Sequence, residues 1–151
     1  VDGRDRVEFL FSANKGEPLK PLSRVASGGE LSRVMLALKS ALAGVDQVPV
    51  IIFDEIDAGV GGAAAGAIGR RLKALGRCHQ VLCVTHLPQV ASQADHHWCL
   101  EKAVMNNRTT TVVRLLKGDS REKEIARMLA GDAITKKVRA TAAELISGAN
   151  E

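Results

Sequence analysis

A chain of 151 residues, 46% hydrophobic and 25% charged, has the length of one domain and enough apolar content for a real core. Aromatic residues make up only 3%, so that core must be built from Leu, Val, Ile and Ala, which suits closely packed α/β layers. A formal net charge of +4 permits contact with nucleic acid without demanding it, and no aromatic-plus-basic stripe is present to stack single strands. The basic groups Arg70, Arg71, Lys73 and Arg77, and Lys136, Lys137 and Arg139, read as solvated helix faces. No stretch approaches the ~20 apolar residues that cross a bilayer, and no membrane partner is expected. The three cysteines, Cys78, Cys83 and Cys99, form no CxxC pair and read as reduced thiols of a cytoplasmic protein. His96 and His97 have no metal-ligand spacing around them and are expected to be structural or surface residues. The chain opens without a signal peptide or an initiator Met, so a portion of a longer protein is expected.

In chain order, Val7 to Ser12 reads as a strand, Lys15 to Pro18 as a turn and Pro21 to Ala26 as a connecting loop. A helix follows from about Gly28 to Ala43, with Leu31, Val34, Met35, Leu38 and Leu42 at helical spacing and Gly44 as its stop. Ser27 and Glu30 form a capping-box pattern at its start. Val48 to Phe53 is a continuous apolar run, the mark of a strand buried on both faces. An alanine-rich helix spans about Gly62 to Leu75, and Val81 to Thr85 is a second buried strand. Leu87 to Ala94 reads as a short helix with Pro88 in its first turn. His97 to Val104 and Thr109 to Leu116 flank Asn106-Asn107 as a hairpin. Two closing helices, Ser120 to Ala130 and Ala133 to Ile146, are separated by Gly131. Strands alternating with helices imply an α/β fold with a mostly parallel sheet.

Three short motifs carry chemistry. In Ser27-Gly28-Gly29-Glu30, two glycines let the backbone approach a ligand closely, and the following helix aims its free N–H groups at the same spot. That is an anion cradle suited to phosphate, to which the Ser27 hydroxyl adds a donor; a plain capped helix start is the competing reading. Asp54 and Glu55 close a buried strand, at the edge where open parallel sheets bind ligands. Asp54 is placed to hold a hydrated Mg²⁺ and Glu55 to orient or deprotonate a water, unless both merely cap the next helix. His86 stands 31 residues after Glu55, one strand–helix–strand unit later, and lands on the same edge. There it could hydrogen-bond a terminal phosphate oxygen.

The order of these motifs resembles the ABC ATPases, and the residues around them resemble the RecN family in particular. The resemblance is carried by Leu22 to Leu38, by Phe53 to Gly62, by Thr85-His86-Leu87-Pro88-Gln89-Val90-Ala91 and by Glu124 to Gly131. It implies that residues 1–151 are the C-terminal half of an ABC-type head, with a parallel sheet flanked by helices and a C-terminal hairpin and helices. Ser27, Gly28, Gly29 and Glu30 match the signature motif, which touches the γ-phosphate of ATP held by a second head. Asp54 matches the Walker B aspartate for Mg²⁺, Glu55 the catalytic glutamate and His86 the switch histidine. Asp57 to Gly62 match the D-loop at the dimer seam, with Asp57 as a nucleotide-site residue, although Gly61 stands where many ABC ATPases have aspartate. The resemblance further implies a head homodimer, an N-terminal half with the P-loop, and DNA double-strand break repair. A P-loop needs Gly-Lys, and this chain has no Gly-Lys pair, so the chain alone is expected neither to hold ATP tightly nor to hydrolyse it. An ABC transporter subunit and a non-enzymatic head-docking module are the competing functions.

Overall fold

The computed structural model describes residues 3–12, 15–24, 27–105 and 108–149. Val25-Ala26, within the expected loop and the family-like stretch, and the Asn106-Asn107 turn lie outside the described residues. The first expected strand shortens to β1 (Leu10–Phe11), which pairs antiparallel with β2 (Lys20–Pro21). Pro21 has no N–H to extend that ladder.

Helix α1 spans Gly28–Leu42. Its N-cap Ser27 has an extended backbone and its Oγ accepts from the Glu30 N–H at 3.5 Å. Beyond it, β3 (Val50–Phe53) lies parallel to β4 (Gln80–Cys83), with Val50 opposite Gln80 and Phe53 opposite Cys83. Helix α2 (Gly62–Leu75) makes the crossover between them, and α3 (Pro88–Ala91) is a single turn after β4. The antiparallel pair β5 (His97–Met105) and β6 (Arg108–Leu116) follows, then α4 (Asp119–Ala130) and α5 (Lys136–Ser147). Thr135 caps α5 by accepting from Val138 N–H, which starts that helix three residues later than the apolar spacing suggests.

Two apolar clusters hold these elements. The first joins Leu36 of α1, Ile51 and Phe53 of β3, Ile68, Leu72 and Leu75 of α2, and Val90 of α3. The second joins Ile125 and Ala126 of α4 to Ala142 of α5 and Ala91 of α3. At the surface Arg139 bridges from α5 to Asp119 and Glu122 of α4.

The expectation of strands buried on both faces is corrected. Ile51 and Phe53 point into the first cluster, whereas Val50, Ile52, Leu82 and Val84 are exposed, Ile52 to 68%. Side chains alternate across a sheet, so the helices α1 and α2 cover one face only. The stripe of α1 is also open at Leu31, Met35 and Leu42, and the helix buries Leu36 instead. On the β5–β6 pair, Trp98, Leu100, Val104, Val113 and Leu115 form an outward apolar face. Among the described residues no helix is long and apolar enough to cross a membrane.

Candidate functional site

The carboxyl ends of β3 and β4 lie side by side, joined by a bond from Val84 N–H to Phe53 O at 3.0 Å. Strand β3 therefore delivers Asp54 and Glu55 to the same edge at which β4 delivers Thr85 and His86. The first turn of α1 reaches this edge too, held by three contacts. Ser32 Oγ donates to Asp54 O at 2.8 Å. A single guanidinium nitrogen of Arg33 donates to Ile56 O at 3.3 Å and to Ala58 O at 3.0 Å. Gly28 and Gly29 then press directly on the strand end. A Cβ on Gly28 would lie 2.7 Å from Glu55 Oε2, and one on Gly29 would lie 2.8 Å from Glu55 O and 2.9 Å from Ala58 Cβ. Gly29 is thus required by close packing within the chain, whereas at Gly28 the neighbour is the movable end of the Glu55 side chain.

Asp54 and Glu55 are both exposed, and Ile56 directly after them is fully buried. One oxygen of Asp54 accepts from Glu55 N–H at 2.9 Å, leaving the other free for a cation. Glu55 has φ 56°, and among the described residues it is the single non-glycine with positive φ. This left-handed turn costs of order 1 kcal/mol and swings the chain sharply out of β3, laying the carboxylate alongside Gly28. Its charge sits beside the positive end of α1.

Asp57 is turned inward and is only 3% exposed. Its Oδ2 accepts from Thr85 Oγ1 at 2.5 Å and from His86 N–H at 2.9 Å, and lies 3.1 Å from His86 Nδ1. Burial alone would raise its pKa, but these donors outweigh burial and hold the carboxyl below its ordinary range. The resulting stability is present above the ordinary carboxylate pKa and is lost as the pH falls through the depressed one. Burial pushes the neighbouring Cys83 thiol up to about 11, with the charges of Asp57 and Asp54 adding to it. Cys83 is therefore an inert thiol at neutral pH.

The structure brings Gly28, Gly29, Asp54, Glu55, Asp57 and His86 to one edge, with Ser27 and Glu30 at the adjoining helix start. It differs from the expectation at Asp57, whose carboxylate faces His86 and the interior instead of an open nucleotide site. Sequence reasoning passed over Ser32, Arg33 and Thr85. A signal was available, because Ser32 and Arg33 stand four residues after Gly28 and Gly29 and so share their helix face. Among the described residues no cluster of three or more His, Cys, Asp or Glu could cage a metal ion. A hydrated Mg²⁺ held by one carboxylate and phosphate oxygens fits the lone exposed Asp54.

Arg33→Ala should lower unfolding free energy by about 2 kcal/mol, since it leaves two carbonyls of the 56–58 loop without their charged donor. Hydrogen exchange should quicken at residues 56–60 in the same variant. Arg33→Lys should recover only part, because the shorter side chain must bring one mobile, strongly hydrated ammonium to both carbonyls. Unchanged exchange in the alanine variant would show that the loop is held by other contacts.

No family model matches the chain. It is 48% identical over 150 residues to the DNA repair protein RecN of Xylella fastidiosa (strain Temecula1), covering 99% of this chain and 27% of that protein. It is 50% identical over 149 residues to the RecN of Bacillus subtilis (strain 168), covering 99% of this chain and 26% of that one. With the RecN of Deinococcus radiodurans the identity is 57% over 130 residues, which is 86% of this chain and 23% of the relative. A solved structure from work on ATP-driven dimerization and DNA-stimulated activation of SMC ATPases superposes with a TM-score of 0.50 at 21% identity, over 76% of this chain and 68% of that one. That likeness gives the fold, an α/β lobe of an SMC-type ATPase head. Along nearly its whole length the chain is similar in sequence to DNA repair proteins of the RecN type, and it spans about a quarter of the length of the relatives it matches.

Proposed function

We propose that the chain is the C-terminal half of an ATPase head in a RecN-like DNA repair protein, with its P-loop half and a coiled coil elsewhere in the longer chain. In this reading Ser27, Gly28, Gly29 and Glu30 present a helix N-terminus to the γ-phosphate of ATP bound by a second, identical head. The Ser27 hydroxyl already accepts from Glu30 N–H and keeps its own proton for a phosphate oxygen. Asp54 takes a place in the shell of Mg²⁺, which neutralises phosphate charge when it is bound with the nucleotide. Glu55 orients and deprotonates the attacking water. His86 donates to the terminal phosphate. The observation that carries the reading is convergence: contacts at Gly28–Glu55, Ser32–Asp54 and Asp57–His86 unite three separate motifs at one sheet edge. The open apolar faces of β3–β4 and β5–β6 support a covering layer supplied by the rest of the longer protein. DNA and a cytoplasmic setting follow from the repair proteins the chain resembles, which also favour this reading over a transporter subunit.

A mixing experiment tests the arrangement. In full-length protein, Ser27→Arg and Glu55→Gln should each abolish hydrolysis alone. Mixed and exchanged, they should recover on the order of one quarter of the wild-type rate. Half of the dimers are then mixed, and each mixed dimer holds one intact site if the signature acts across the interface. No recovery, with dimers shown to exchange, would mean that both residues serve one site within one chain.

A further inference from the structure

We propose that Asp57 is a positioning residue that fixes the ring of His86 and thereby sets the contact of His86 with a nucleotide's terminal phosphate. The inference rests on the reading of His86 as the phosphate contact.

The geometry is specific to one atom. Asp57 Oδ2 receives the backbone N–H of His86, faces the ring Nδ1 of the same residue, and is pinned by the Thr85 hydroxyl. Main chain and ring of His86 are therefore both referenced to one buried oxygen. The Asp57 side chain is 4% exposed and too enclosed to meet a ligand itself, whereas the His86 side chain is 73% exposed. An ionised carboxylate only accepts hydrogen bonds, so the ring nitrogen facing it carries the proton. That leaves Nε2, across the ring, as the atom available to a ligand. A phosphate oxygen also only accepts, so the bound state requires a proton on Nε2 as well. The ring then lies between two anions as an imidazolium. The main-chain bond anchors His86 beside Asp57, and the ring nitrogen 3.1 Å from the same oxygen keeps Nε2 turned outward before the phosphate arrives. This is the arrangement by which a carboxylate behind a histidine fixes its tautomer and aim.

The test uses full-length protein labelled with ¹⁵N-histidine, in wild type, Asp57→Asn, Thr85→Val and His86→Gln, the last assigning the His86 signals. In nucleotide-free wild type at alkaline pH, His86 should show Nδ1 protonated and Nε2 bare. Asp57→Asn keeps the shape and removes the charge; it should lose that preference and lower kcat by at least about ten-fold, with KM within about two-fold. Thr85→Val, which removes the pinning hydroxyl but leaves the charged carboxylate, should keep the His86 tautomer and lower kcat less than Asp57→Asn does. A wild-type tautomer in Asp57→Asn overturns the proposal, even if kcat falls. A lost tautomer with wild-type kcat, alongside an impaired His86→Gln, also overturns it but leaves the reading of His86 standing. Wild-type turnover by His86→Gln removes that reading and the catalytic half of the proposal together.

Discussion

Glu55→Gln in the full-length protein should bind Mg-ATP as tightly as wild type and hydrolyse it about 10²–10⁴-fold more slowly. Gln has the shape of Glu and the same backbone needs, so the left-handed turn at φ 56° is kept. The side chain is exposed, so the fold should lose no more than about 0.5 kcal/mol. What disappears is the group able to take a proton from water. Asp54, Ser27 and the two glycines, to which the proposal gives the metal and the phosphate, are unchanged. Equilibrium binding of Mg-ATP and phosphate release in a single turnover separate the two effects. Turnover at the wild-type rate would remove Glu55 from the catalytic role, whatever its position on the strand.

The two neighbouring glycines should behave very differently when each becomes alanine. At Gly29 the new methyl would meet a backbone oxygen at 2.8 Å and the Ala58 methyl at 2.9 Å, both on the loop that Arg33 holds in place. Neither can retreat freely, and overpacking of this kind costs about 1–3 kcal/mol. Gly29→Ala should therefore lower the urea midpoint and weaken head dimerisation, because the start of α1 is pushed off the strand end. At Gly28 the obstacle is the free end of the Glu55 side chain, 2.7 Å away, which can rotate. Gly28→Ala should thus be neutral in stability, or gain up to about 1 kcal/mol from helix propensity, while displacing Glu55 and slowing hydrolysis. Equal urea midpoints for the two variants would refute this account of the paired glycines.

Much of the site was legible because its residues sit where elements change. The Ser27 cap, the start of α1 at Gly28 and the delivery of Asp54 and His86 by β3 and β4 all follow from local signals, namely a capping pattern and apolar runs of strand length. The helix face of Arg33 was legible from its spacing, but the partners of Arg33 and Asp57 were not, because both act on groups more than twenty residues away. The open faces escaped for a different reason. An apolar run such as Val50 to Phe53 states that both faces suit burial, but not which layer covers them. The stripe of α1 misled in the same way, since Leu31 and Met35 obey helical spacing while facing away from the cluster that holds Leu36.

The double grip of Arg33 bears on how motion passes through the molecule. One nitrogen holds carbonyls of both Ile56 and Ala58, the two residues that bracket Asp57. The loop cannot shift alone without breaking both bonds, and Asp57 in turn carries the main chain of His86. Helix α1, the strand-end loop and the histidine are therefore linked by an unbroken run of hydrogen bonds. In the proposed head–head arrangement, a push on the start of α1 would reach the histidine through these bonds, so that arrival of the partner and alignment of the ring would be one event in time instead of two.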